Sequence, residues 1–434
     1  MHSEPKPGDR VEIVTESETY RGFVMPRPEL AGDRHLVLKL ENGYNIGIEK
    51  NKIKKINIIE KIKEKKNIER AAVKEDKNKA TVSVLSTGGT ISSRVDYRTG
   101  GVYASYTAKD LLEVAPELND IANIKSRFLM NIMSEDMNPK LWIKIAREVA
   151  EELKKSDGVV VTHGTDTMHY STAAVSFLLR DLHKPVVFTG SQRSTDRGSS
   201  DCFVNLICSA ILAKSDIAGV SLVMHGSLND NYCFAHRGTK VRKMHTSRRD
   251  AFQSINDKPL AKIYPSGKIE VLNKNYPKRK EGKVTVDDKL EEKVAFIKIY
   301  PGMNPEIVDF YLGKGYKGIV FEGTALGHVP TTLKETSIIP KIELAKDRGV
   351  AMAMTTQCLF GRVHPHVYAN LREVSSCGVI YCEDMLPETA YVKLMWVLGH
   401  TSKSEEVKKL MLTNIAGEIT PRTHIDETIL STSL

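Results

Sequence analysis

The sequence has no long apolar run. Nowhere in its 434 residues does a hydrophobic stretch approach the ~20 residues that span a bilayer, so no membrane helix is read. The opening Met1-His2-Ser3-Glu4-Pro5-Lys6 has no apolar stretch behind it, and no secretory leader is read there. The six cysteines (Cys202, Cys208, Cys233, Cys358, Cys377 and Cys382) form no Cys-x-x-Cys pair and no zinc spacing with histidine. Scattered thiols of this kind lead us to expect a cytoplasmic protein without a resident metal. Repeats and low-complexity segments are also missing. What is present is a globular composition, 41% hydrophobic and 27% charged, in a chain long enough for two or three domains. A net charge of +9 permits contact with nucleic acid but does not require it.

The first segment alternates as strands do. His35-Leu36-Val37-Leu38-Lys39-Leu40 and Tyr44-Asn45-Ile46-Gly47-Ile48 flank Glu41-Asn42-Gly43. A two-residue Asn-Gly turn would oppose Leu40 to Asn45. A three-residue loop with Gly43 left-handed opposes Leu40 to Tyr44, Leu38 to Ile46 and Leu36 to Ile48. Only the second register puts all six apolar side chains on one face, and it is the one expected. With strands near Gly8–Val14 and Tyr20–Val24, residues 1–76 read as a small all-β, SH3-like module, followed by a linker at 77–80. The lysines that accumulate from Lys50 to Lys79 are interleaved with glutamates and read as a solvated linker and last strand rather than a nucleic-acid patch.

From Thr81 the texture becomes alternating strand and helix. Thr81–Leu85, Gly158–Val161, Pro185–Phe188 and Gly219–Val223 read as buried strands. Between them lie a helix opened by Asn138-Pro139, with Trp142, Ile145, Val149 and Leu153 on one stripe, and helices over Met168–Leu182 and Cys202–Ala213. This pattern predicts an α/β fold with a parallel sheet covered on both faces. The large domain is expected over 81–275 and a linker over 276–292. A smaller α/β domain at 293–412, with strands at Val294, Gly318 and Val350, precedes a tail at 413–434.

Two motifs follow buried strands, where open α/β sheets place ligands: Ser86-Thr87-Gly88-Gly89-Thr90 and Thr162-His163-Gly164-Thr165-Asp166-Thr167. Gly89 and Gly164 let backbone approach a small substrate, and N–H groups in turns of this kind can cradle an oxyanion. The first motif lacks both the Gly-Lys-Ser/Thr of a phosphate loop and the third glycine of a dinucleotide fingerprint. A threonine hydroxyl needs a base or a nearby cation before it can attack. Each motif alone is weak; together they carry meaning.

The pair resembles the L-asparaginase family, from about Thr81 to the late C-terminal region. Asn131–Met137 and Lys184–Gly190 are similar to further family segments. The resemblance implies an asparaginase-like two-domain fold behind the β-module. It makes Thr90 the nucleophile, with Tyr103 beside it on a glycine-rich loop that also carries Tyr97 and Tyr106. Thr165, Asp166 and Lys243 form a second cluster, and Ser134, Glu135 and Asp166 hold the ends of the substrate. The β-module, the run Thr189–Asp201 and the basic run His236–Arg249 are similar to the glutamine-hydrolysing subunits of archaeal tRNA-dependent amidotransferases. That likeness implies a subunit that needs no cofactor of its own and whose ammonia is used elsewhere. The recipient would be a partner kinase/transamidase that uses ATP and Mg to convert Glu-tRNA(Gln) to Gln-tRNA(Gln). It also implies a homodimeric core.

Other readings stay open. A free asparaginase would differ by one methylene of substrate, and a non-catalytic RNA-binding scaffold would be expected to have lost some of the four residues Thr90, Thr165, Asp166 and Lys243. His163 reads as a general base or as a hydrogen-bonded turn histidine. His364 and His366 lack a third metal ligand at suitable spacing. Arg237, Lys240, Arg242, Arg248 and Arg249 read as surface or interface charges, and Cys377 and Cys382 as buried small hydrophobes.

Overall fold

In the computed structural model, the described residues are 5–6, 8–25, 34–40, 45–61, 76–89, 93–95, 102–104, 115, 117–193 and 200–423. The N-terminal module is a five-stranded antiparallel sheet in the order Asn45–Glu49, His35–Leu40, Thr19–Val24, Arg10–Thr15, Ile53–Glu60. Leu36 faces Ile48 and Leu38 faces Ile46, the register set by putting apolar side chains on one face. The Leu40–Tyr44 pair falls outside the described residues. Val11, Ile13, Val24, Leu38 and Ile48 close a small core of its own.

The next sheet has eight strands. Five are parallel, running side by side as Gly219–His225, Pro185–Thr189, Gly158–Thr162, Thr81–Gly88 and Asn123–Ile132. Three antiparallel strands (Cys233–Arg237, Ala261–Ile263, Ile269–Val271) extend the other edge. Successive residues of the central strand point to opposite faces: Val159 and Val161 pack in one apolar layer, Val160 in the other. Both faces are therefore buried, which is why these strands read as continuous hydrophobic runs.

The helix Pro139–Leu153 begins as its sequence dictates. The Asn138 side chain accepts a hydrogen bond from the Leu141 N–H at 3.3 Å, and Pro139 occupies the first turn. Trp142, Ile145, Val149 and Leu153 are all buried against the sheet. The next helix, Met168–Leu178, is shorter than expected. Leu179–Arg180 leaves it to pair antiparallel with Thr285–Val286, and Asp181 turns the chain at a φ of 53°. A backbone partner arriving from the interdomain segment takes the place of the last helical turn.

The smaller domain holds four parallel strands, Val294–Lys298, Gly318–Gly323, Ala351–Thr356 and Ile380–Tyr381. Its helix Pro387–Leu398 packs against the larger domain, with Trp396 stacked on Phe177 at a centroid distance of 6.2 Å. The interdomain segment is fastened as well: Arg279 donates to the carbonyls of Ser215, Asp157 and Ala213. The residues past Leu412 are built into the molecule through Thr423. Glu418 is fully buried, 2.5 Å from the Lys393 ammonium, which also donates to the Met411 and Thr413 carbonyls.

Removing one member of a buried ion pair strands the other. Glu418→Ala should cost roughly 3–5 kcal/mol in urea denaturation, whereas Lys393→Met combined with Glu418→Leu should cost clearly less. Equal losses for the two variants would refute a stranded charge as the cause.

Candidate active site

The strand Thr81–Gly88 ends in two glycines with positive φ, 106° at Gly88 and 79° at Gly89. The neighbouring strand Gly158–Thr162 ends beside it, and the Thr87 hydroxyl donates to the Thr162 carbonyl at 2.9 Å. The two turns then touch. A Cβ on Gly89 would lie 2.6 Å from the Gly164 backbone, and one on Gly164 would lie 2.7 Å from Ser134 Cβ. Ser134 arrives from a third element, the short 3-10 turn Ser134–Asp136 after the edge strand, and the Thr167 hydroxyl holds its carbonyl at 2.6 Å. Gly89, Gly164 and Ser134 are thus brought together because two of them have no side chain. Glu135 sits beside Ser134 and is exposed. Gly190 completes the convergence: a Cβ there would meet the His163 carbonyl at 2.7 Å and Thr165 Cγ2 at 2.9 Å.

Lys243 enters from the strand Val241–Lys243, far away in sequence. Its ammonium donates to Thr165 Oγ1 at 2.9 Å and to Asp166 Oδ1 at 2.6 Å. The Thr165 and Lys243 side chains are almost enclosed, whereas that of Asp166 is 67% exposed. A cation against the threonine oxygen lowers the cost of its deprotonation, and the carboxylate fixes where that cation sits. Thr90, Tyr97 and Tyr106 fall outside the described residues. Tyr103 is described for its backbone alone, opposite Arg94 in a two-stranded ribbon.

His163 is a turn histidine rather than a base. Nδ1 lies 2.6 Å from the Gly164 carbonyl and Nε2 2.9 Å from Ser171 Oγ, and Ser171 Oγ accepts from Trp142 Nε1 at 3.0 Å. Full burial depresses its pKa to about 4, so it stays neutral and holds the turn. Behind this site lie residues with no local signature in the sequence. Arg242 Nε forms an ion pair with a Glu388 carboxylate oxygen at 3.1 Å, and His169 Nε2 is 3.8 Å from the same oxygen.

Part of the basic run is not at the surface. Lys240 is fully buried, 2.6 Å from Asp384, and Arg237 pairs with Asp257 at 3.1 Å and donates to the Asn275 carbonyl. Carboxylates from distant segments neutralise these cations, and nothing in their own neighbourhood announces it. Arg248 and Arg249 pair with Asp250 and Asp230, each at 2.7 Å. The rings of His364 and His366 lie 5.7 Å apart, and no group of three potential metal ligands occurs among the described residues.

A threonine hydroxyl gripped by a lysine–carboxylate pair at glycine-lined strand ends defines the class as an amidohydrolase of the asparaginase type. Residues 81–277 match the family model described as "Asparaginase, N-terminal", and residues 293–411 match "Glutaminase/Asparaginase C-terminal domain". The fold is similar to the thermostable L-asparaginase from Thermococcus kodakarensis (TM-score 0.72, 34% identity, 79% of this chain and 100% of that one). It is also similar to L-asparaginase I from Vibrio cholerae (TM-score 0.67, 29% identity, 79% and 99% covered). Residues 5–59 match the "GatD N-terminal domain" model. The GatD polypeptide of the Pyrococcus abyssi glutamyl-tRNA(Gln) amidotransferase is 58% identical, with 96% of each chain covered. Its counterpart from Methanothermobacter thermautotrophicus is 53% identical over 96% of this chain and 95% of the other. The chain belongs to the GatD family of glutamyl-tRNA(Gln) amidotransferase polypeptides.

Two outcomes follow from this geometry. Gly164→Ala must displace Ser134, and a shift near 1 Å at a reacting centre should lower kcat/KM for amide hydrolysis by about 100-fold; wild-type turnover would show that the contact is dispensable. The second concerns acid stability. Burial depresses the pKa of His163 to about 4 and those of His169 and His236 to about 3. Such groups take up protons on unfolding, so their contribution is complete above about pH 6.5 and is lost as pH falls toward 4 and 3. Each adds a slope of about 1.4 kcal/mol per pH unit there, offset in part by Glu388, whose carboxyl burial pushes up. Urea midpoints should fall from pH 6 to pH 4.5, and His236→Gln should flatten that fall; a flat wild-type profile would contradict it.

Proposed function

We propose that this chain is the glutaminase subunit of a tRNA-dependent amidotransferase. The observation that supports it most directly is the Lys243 ammonium held at once by Thr165 and Asp166, within a chain whose N-terminal residues match the GatD module. Thr90 Oγ attacks the side-chain amide carbonyl of glutamine, its proton passing to the leaving nitrogen, and ammonia departs. Water then cleaves the acyl-enzyme ester and releases glutamate, restoring the hydroxyl. Thr165, Asp166 and Lys243 supply the proton-transfer cluster, while Ser134, Glu135 and Asp166 hold the carboxylate and amino ends of the substrate. Gly89 and Gly164 allow its close approach.

The ammonia passes to a partner kinase/transamidase subunit, which consumes ATP with Mg in converting Glu-tRNA(Gln) to Gln-tRNA(Gln). This chain needs no cofactor for its own step. Its setting is the cytoplasm, in a complex built on a homodimer. Among the described residues no helix is long and apolar enough to cross a membrane.

A free L-asparaginase is the second reading, favoured by the likeness of 79% of the chain to solved asparaginases. Asparagine lacks one methylene of glutamine, a difference worth only ~1–3 kcal/mol in a pocket. Partner-independent turnover of asparagine would support that reading.

Lys243→Ala should lower glutamine-supported transamidation by about 100- to 10,000-fold, the usual worth of positioned proton transfer. Transamidation from free ammonium should be unaffected. Loss of both reactions would refute a role confined to ammonia supply.

A further inference from the structure

The strand that carries Lys243 is held by the other domain. Thr389 Oγ1 donates to the Thr239 carbonyl at 3.0 Å, Lys240 pairs with Asp384 at 2.6 Å, and Arg242 pairs with Glu388 at 3.1 Å. Residues 384–389 therefore grip residues 239–242 immediately before the lysine. Alternation along a strand sends Arg242 and Lys243 to opposite sides. Arg242 reaches the smaller domain at Glu388 while Lys243 reaches Thr165 and Asp166.

Glu388 lies at the start of the helix Pro387–Leu398 and is 5% exposed. Its Oε1 faces Arg242 Nε as an ion pair at 3.1 Å, whereas its Oε2 and the nearby His169 Nδ1 are buried with no hydrogen-bond partner among the described residues. An incompletely satisfied carboxylate contributes poorly to stability, and an ion pair replaced as a whole by apolar side chains often serves a fold as well or better. What Glu388 does supply is a fixed direction for Arg242, and through the backbone a fixed origin for the long, flexible Lys243 side chain.

We infer that Glu388 is a positioning residue for amide hydrolysis: through Arg242 it sets the place of Lys243 against Thr165, so that the smaller domain completes the active site of the larger one. This deepens the proposed function and rests on it.

The test is made on the assembled complex with its partner and charged tRNA, measuring glutamine hydrolysis for Glu388→Leu, Glu388→Gln, Arg242→Met and the Glu388→Leu/Arg242→Met double variant. A shift of the lysine by part of an ångström should lower kcat by about 10- to 100-fold in Glu388→Leu, with KM changed less than about threefold. Glu388→Gln keeps an oxygen acceptor and should retain more activity. The double variant should be no slower than the slower single one, because both act through one contact. Glu388→Leu strands Arg242 and should lower the melting temperature, whereas the double variant, which removes the pair, should lower it clearly less; kcat measured well below either melting temperature separates positioning from loss of fold. Full kcat in a folded Glu388→Leu would overturn the inference, as would losses that multiply in the double variant or that appear only near the melting temperature. If Glu388→Leu does not fold, the near-isosteric Glu388→Gln decides: kcat lowered at unchanged KM supports the inference, and wild-type kcat overturns it. Lys243→Ala distinguishes the two levels. If it still hydrolyses glutamine, the proposed function fails; if it is inactive while folded Glu388 variants are fully active, only this inference fails.

Discussion

The active site depends on three chain turns meeting at distances that no side chain would allow. Gly89 packs on Gly164, and Gly164 packs on Ser134, each with less than 3 Å to spare for a Cβ. Parallel strands only a sheet spacing apart place their carboxyl ends side by side, but the loops beyond normally diverge to make room for side chains. Glycine removes that need. Three segments can then present backbone N–H groups and short hydroxyls to one small volume. The hydrogen bonds from Thr87 to Thr162 and from Thr167 to Ser134 lock the arrangement, so the convergence is rigid before any substrate enters.

Charge is arranged around this neutral, glycine-rich centre by reaching across the chain. Lys243 comes to Thr165 from a short two-stranded ribbon rather than from the parallel sheet. A ribbon of three residues per strand is a weak support by itself, since an isolated hairpin is only marginally stable. Its firmness comes from the buried pairing of Lys240 with Asp384 and the bond from Thr389 to the Thr239 carbonyl. Burying an ammonium is tolerable only with a carboxylate in contact, so those pairs tie the two domains into one chemical unit.

The parts legible in the sequence were those decided locally. Leu36 facing Ile48 follows from a face rule, and the Asn138-Pro139 helix start follows from capping. The continuous valine run 159–161 read as a buried strand, and the alternation of such strands with helices marked a sheet covered on both sides. The grouping of Thr165, Asp166 and Lys243 came from family resemblance, because no local rule joins a lysine to a turn this far away in sequence. The same blindness explains Arg237 and Lys240, which read as surface or interface charges yet lie inside against Asp257 and Asp384. The helix from Met168 ended at Leu178 because Thr285–Val286, an interdomain segment, supplied a strand partner. In each case the deciding group is distant in sequence and adjacent in space.

The unequal exposure of the charged cluster bears on how the site divides its work. Lys243 is nearly enclosed, 10% exposed along its side chain, and bonded on its inner side to Thr165; Asp166 is 67% exposed. Enclosure strengthens the lysine's influence on the threonine oxygen, since the field of a charge is damped far less away from water. The open side of Asp166 suits it to meet a substrate's ammonium group while its other face anchors the lysine. In the proposed function, that one carboxylate would couple substrate arrival to the position of the proton-transfer group.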